Sequence, residues 1–186
     1  MDWKTHDYEL VRRARIGNLR VLEDLDPVHF PQRAPTIEVA CADWLPRHEM
    51  VTHLATMRGL ERDEDPQVHL LSWHAGPVRL HYRSTTNKKG QHLTFTDELV
   101  EAVELTGIRD VNLHGHWPCK KCFKHGLGVE DVWCSIMTIL PMLQRVLREV
   151  KIRTLFHVDY QENEPHGMKN YRLHPERCVG MVSQIA

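Results

Sequence analysis

No apolar run in this chain approaches the roughly 20 residues that a bilayer-spanning helix needs. The first residues, MDWKTHDYELVRRAR, are charged throughout and carry no apolar leader core. The expected location is therefore the cytoplasm, with no membrane partner. An excess of one charge sign is missing too: 24 Lys and Arg stand against 25 Asp and Glu, a net charge of -1. That balance excludes the broad positive field that draws in nucleic acid, and the pairs Lys88-Lys89 and Lys120-Lys121 are too short to replace it. Internal repeats and low-complexity tracts are also absent. What remains is 186 residues, 41% hydrophobic, a length that suits one domain better than two. The expected organisation is a single α/β domain over 1–186, with an N-terminal helical arm over about 1–26.

Two residue types are abundant. There are 14 histidines and 5 cysteines. An odd number of thiols in a chain with no export leader favours free thiols or metal ligands over a disulfide framework.

Hydrophobic periodicity supplies the fold class. Trp3 to Leu25 reads as one or two amphipathic helices through Leu10, Val11, Ala14, Ile16 and Leu19. Short apolar runs at Thr36–Cys41, Val68–Trp73, Asp110–His114 and Ile152–Asp159 read as strands. Val78–Arg83 alternates as a short edge strand would. Between the strands lie helical patterns at 48–60, from Thr96 to Leu105 and from Val132 to Val150. Thr96 is the expected N-cap of the second and Gly107 its C-cap, while Pro141 is expected to break or kink the third. Strands alternating with helices imply a three-layer α/β architecture, a central, mainly parallel sheet flanked by helices.

Ligands of such sheets bind beyond the carboxyl ends of the strands. Cys41 and Asp43 follow the first strand, Trp73-His74-Ala75-Gly76 the second, and His114-Gly115-His116 with Cys119 the third. Thiolate and imidazole are the ligands zinc favours. One grouping is local, His114, His116, Cys119 and Cys122 in HGHWPCKKC; the other is split, Cys41 with His116 and Cys119. The split set gains from the fold argument, and Cys122 is the rival ligand. Asp43 reads as a ligand, an acid, or a cap of the helix after Trp44. Cys134 reads as a core thiol and Cys178 as a surface one, and Trp73, Trp117 and Trp133 as packing residues.

The motif Cys41-Ala42-Asp43, followed far downstream by Gly115-His116-Trp117-Pro118-Cys119, resembles the β-class carbonic anhydrases. The turn at Trp73–Gly76, the run Thr106–Val111 and the strand Leu155–Asp159 are similar to that family's pattern, and the likeness spans about residues 17–173. It implies zinc held by Cys41, His116 and Cys119, with Asp43 as fourth ligand or as the acid beside a zinc-bound water. It implies reversible hydration of CO2 to bicarbonate by a zinc-bound hydroxide, in a homodimer or higher homo-oligomer. The family's arginine two residues beyond the aspartate is Leu45 here, and Arg47 is the residue that could reach back to Asp43. Trp73-His74 replaces the family's Arg-Asn, and Lys120 replaces the glycine after the second cysteine. With Leu45 in that place, Asp43 is free to stay on zinc. Two alternatives therefore stand beside the anhydrase: hydrolysis of carbonyl sulfide or carbon disulfide, and a non-catalytic zinc-binding homologue acting as an interaction module.

Overall fold

The computed structural model describes residues 5–16, 20–26, 34–42, 52, 55–56, 59–60, 67–160, 167–174 and 176–178. The elements are α1 (Thr5–Ile16), β1 (Leu22–Asp24), β2 (Thr36–Cys41), β3 (Val68–Trp73), a 3-10 turn at Gly76–Leu80, α2 (Gln91–Thr106), β4 (Asp110–Trp117), α3 (Lys120–Lys124), α4 (Val129–Val146), β5 (Lys151–Asp159) and β6 (Met168–Leu173). The six strands form one mixed sheet in the order β1-β6-β5-β4-β2-β3. The four strands β3, β2, β4 and β5 run parallel, while β6 is antiparallel to β5 and β1 antiparallel to β6. The expected α/β class with a largely parallel sheet flanked by helices is therefore the observed one.

Alternation along the central strands divides the sheet into two unlike faces. Ile37 and Val39 of β2 and Val111 and Leu113 of β4 pack with Leu99, Ala102 and Val103 of α2 and Ile139 and Leu143 of α4. Trp117, Phe156 and Val158 continue the core toward the carboxyl edge, against Trp133 and Ile136 of α4 and Leu10, Val11 and Ala14 of α1. Gly115 sits in this layer because an added Cβ would lie 2.8 Å from both Ile136 and Phe156. The alternate side chains are polar yet buried: Glu38 of β2, with Asn112, His114 and His116 of β4.

Several elements differ from the sequence reading. The helical arm ends at Ile16, and Leu22–Asp24 is a strand. The apolar side of α1 is buried in the chain's own core, and Asp7 accepts a hydrogen bond from the Val129 backbone at the start of α4 (3.2 Å). Strand β6 went unread because, among its residues of described burial, only Tyr171 and Leu173 are buried and apolar. Val78–Arg83 is not an edge strand; its alternation comes from a 3-10 turn entered through Gly76-Pro77, with Val78 and Leu80 buried. Helix α2 begins at Gln91 behind Gly90, so Thr96 lies inside it, its hydroxyl turned back onto the His92 carbonyl (2.8 Å). Gly107 is its C-cap, as expected, at φ 68°. Helix α4 runs through Pro141, which lies on its exposed side, so the expected break does not occur. Most of the helix read at 48–60 lies outside the described residues. No helix among the described residues is long and apolar enough to cross a membrane.

Candidate metal centre

Strand β2 pairs with β4 only from Ile37–Val39 against Val111–Leu113, after which the two separate. The chain leaves β2 for β3 on one side and returns to β4 on the other. The gap between β2 and β4 is thus the point where the strand order reverses, the place such sheets offer a ligand. Cys41 stands at the end of β2, and His116 lies near the end of β4. His116 was expected to follow a strand that ends at His114. Strand β4 instead continues to Trp117 because β5 pairs with it throughout, His116 opposite His157 and Trp117 opposite Val158. A cis peptide joins Trp117 to Pro118, and Cys119 follows as the residue that opens α3.

The sulfur atoms of Cys41 and Cys119 and a ring nitrogen of His116 all lie within 4.8 Å of one another, and all three residues are buried. Around a tetrahedral zinc, with bonds of about 2.3 Å to sulfur and 2.0 Å to nitrogen, ligand atoms stand about 3.5–3.8 Å apart. Closing the trio onto an ion therefore needs movements of about 1 Å at most. The structure brings together the split set, not the local one. Among the described residues, His116 has no hydrogen-bond partner on either ring nitrogen, although it is only 5% exposed. A buried imidazole without partners is costly, and a metal on one nitrogen removes that cost. Donor chemistry, spacing and the unpartnered imidazole all fit zinc.

The turn after β3 packs against Cys41. Ala75 and Gly76 both take left-handed backbone, at φ 75° and 52°. This aims the Ala75 N–H at the Cys41 sulfur (3.3 Å). At Gly76 a Cβ would lie 2.8 Å from the Cys41 nitrogen, 3.0 Å from the Ala40 carbonyl carbon and 3.3 Å from the His114 oxygen. Only glycine fits where the two strands part. Trp73 does not enter the trio; its indole donates to Glu98 (2.8 Å) and packs on Phe95.

With no ion beside them, both thiols are held protonated. Hydrogen bonding with Cys119 and burial push Cys41 up to about 12, against a smaller opposing pull from His116. Hydrogen bonding with Cys122 and burial push Cys119 up to about 12, the contact with Cys41 opposing. A divalent cation reverses this balance by stabilising thiolate.

His114, a member of the local grouping, is committed elsewhere. Its Nε2 pairs with the Glu38 carboxylate, which also accepts hydrogen bonds from Thr36 (2.6 Å) and Asn112 (2.7 Å). Burial raises the Glu38 carboxyl, but the charge and hydrogen bond of His114, with those of Thr36 and Asn112, outweigh it and hold it below the usual range. Nothing in the sequence reading singled out Glu38. Its signal was a carboxylate inside an otherwise apolar strand, TIEVAC. Cys122 lies three residues beyond Cys119 in the same buried cluster but does not belong to the trio. The two remaining thiols reverse their expected places: Cys178 is buried and Cys134 partly exposed, since Cys178 tucks its thiol toward the His174 carbonyl (3.7 Å). Asp43, Leu45 and Arg47 lie outside the described residues.

No family model matches the chain, and no curated protein matches it. Among solved structures it is similar to the carbonic anhydrase from Streptococcus mutans, at 14% identity and a TM-score of 0.39, over 85% of this chain and 94% of that one.

Proposed function

We propose that the chain is a zinc-dependent carbonic anhydrase-like enzyme that interconverts CO2 and bicarbonate. The observation that carries this reading is the buried Cys41, His116 and Cys119 trio at the reversal point of the sheet. Cys41, His116 and Cys119 would hold the ion. Two thiolates and a neutral imidazole leave its formal charge near zero and a fourth position open. When bound, zinc supplies a Lewis acid that makes water nucleophilic near neutral pH. The chain's own contribution is to orient and to exclude. The Ala75 N–H fixes the Cys41 sulfur, and the buried cluster that Cys41 and Cys119 share with Trp117, Phe156 and Val158 keeps both sulfurs from bulk water. Asp43 and Arg47 are proposed as the acid–base residue and its cationic partner, Asp43 doubling as the fourth ligand in a closed form. A homodimer as the minimum unit, and a cytoplasmic setting, complete the proposal and rest on the β-class resemblance.

The test pairs zinc analysis with stopped-flow CO2 hydration on the wild type, Cys41→Ala, Asp43→Asn and Arg47→Ala. The expected result is one zinc per chain with hydration activity, zinc lost in Cys41→Ala, and zinc kept with reduced turnover in Asp43→Asn. Zinc bound in full with no hydration from neutral to alkaline pH would reject the catalytic part of the reading.

A further inference from the structure

A further thiol adjoins the metal trio and has no part in it. Cys122 sits one helical turn after Cys119, in the first turn of α3, and each is 1% exposed in the same apolar cluster. The turn is held by the Phe123 N–H on the Cys119 carbonyl (2.9 Å). The Cys122 carbonyl in turn accepts from His125 (2.9 Å) and Leu127 (3.1 Å). Both backbones are thus fixed, with Cys119 at the N-cap and Cys122 three residues on, a spacing that puts two side chains on the same side of a helical turn. Two thiols three residues apart on one helical turn form a dithiol, and a dithiol has a chemistry that a lone ligand lacks.

We propose that Cys119 and Cys122 form a reversible disulfide under hydroperoxide, which removes Cys119 from the ligand set and releases the metal. The second half of this statement rests on the zinc reading; the first does not. In the first step the Cys119 sulfur attacks the peroxide oxygen. The O–O bond breaks, the sulfur becomes a sulfenic acid, and water leaves carrying the thiol proton. Next the Cys122 sulfur attacks the Cys119 sulfur, the S–OH bond breaks, and the Cys122 proton leaves with hydroxide as a second water. Two thiols lose two electrons and one hydrogen peroxide gains them. A thiol reductant restores both cysteines and, with them, the metal site.

The experiment treats the full chain, zinc-loaded and chelator-stripped, with hydrogen peroxide, then counts thiols in denaturant and maps tryptic peptides. Cleavage after Lys120 and Lys121 separates the two cysteines, so a link between them appears as two joined peptides. The expected result is loss of two of the five thiols, recovery with dithiothreitol, a Cys119–Cys122 link, and release of bound zinc in step with it. Cys122→Ser and Cys122→Ala should both keep full zinc and form no link. A link between Cys41 and Cys119, thiol loss that dithiothreitol does not reverse, or no loss at all would overturn the proposal. Zinc missing from both Cys122 variants before any oxidant would also overturn it, by making Cys122 a ligand. If the chain binds no zinc yet the link forms, the zinc reading fails and the dithiol stands.

Discussion

Gly76→Ala tests how tightly the turn after β3 is fitted to the site. Its backbone lies at φ 52°, where a Cβ costs about 1–2 kcal/mol. The new methyl would also stand 2.8 Å and 3.0 Å from the Cys41 nitrogen and the Ala40 carbonyl carbon, both main-chain atoms of a central strand. Such atoms cannot rotate aside as a side chain can, and forced overlap of this kind costs about 1–3 kcal/mol. The sum is about 2–5 kcal/mol. For a chain of this size each kcal/mol moves Tm by about 2–4 °C, so the expected fall is about 4–20 °C. Gly107→Ala is the control. Its φ is 68° but nothing lies within 4 Å of its Cβ position, so only the conformational part, about 1–2 kcal/mol, applies. Differential scanning calorimetry of both variants separates the two contributions. A further consequence concerns the metal alone: displacing Cys41 should weaken zinc binding in Gly76→Ala and leave it unchanged in Gly107→Ala. Equal Tm losses in the two variants would refute the close-approach argument.

Further outcomes follow from the same structure. Glu38→Gln leaves His114 without its carboxylate in a buried layer and should cost about 3–5 kcal/mol, read from the urea midpoint. Because the folded Glu38 carboxyl lies below its usual value, its contribution is present above about pH 4.5 and lost as pH falls below that; the acid limb of the wild-type stability profile should flatten in Glu38→Gln. Zinc competes with two protons, since Cys41 and Cys119 are both held up to about 12 in the metal-free fold. Zinc affinity by chelator competition should therefore rise about 100-fold per pH unit between pH 6 and 8, and a slope near zero would contradict thiolate ligation. In the metal-free protein the same raised thiols contribute stability that is full below about pH 9 and declines above it. Light scattering at micromolar concentration should give a dimer mass, and a monomer would remove the oligomer proposal.

The four parallel strands were legible because each is a short β-branched or apolar run between turn residues, and Cys41, His116 and Cys119 were legible because zinc chemistry restricts ligand types. What escaped the sequence was decided by neighbours. His116 looked like loop until β5 supplied a partner along the whole of β4. Val78 and Leu80 alternate like a strand, yet Gly76-Pro77 starts a 3-10 turn there. Thr96 has the side chain of an N-cap, but the helix had already begun at Gln91 behind Gly90. The apolar side of α1 is covered by α4 and the sheet, contacts that its own periodicity does not name. Glu38 was passed over because burying a carboxylate is unfavourable unless paired, and its partners, His114 and Asn112, lie more than seventy residues away.

Zinc-edge X-ray absorption on the purified chain addresses the metal centre most directly. Two sulfurs at about 2.3 Å and low-mass ligands, nitrogen or oxygen, at about 2.0–2.1 Å should surround the ion, with one sulfur lost in Cys41→Ala. A shell of three or four sulfurs, one of nitrogen and oxygen alone, or a two-sulfur shell unaltered in Cys41→Ala would contradict the assignment of Cys41, His116 and Cys119.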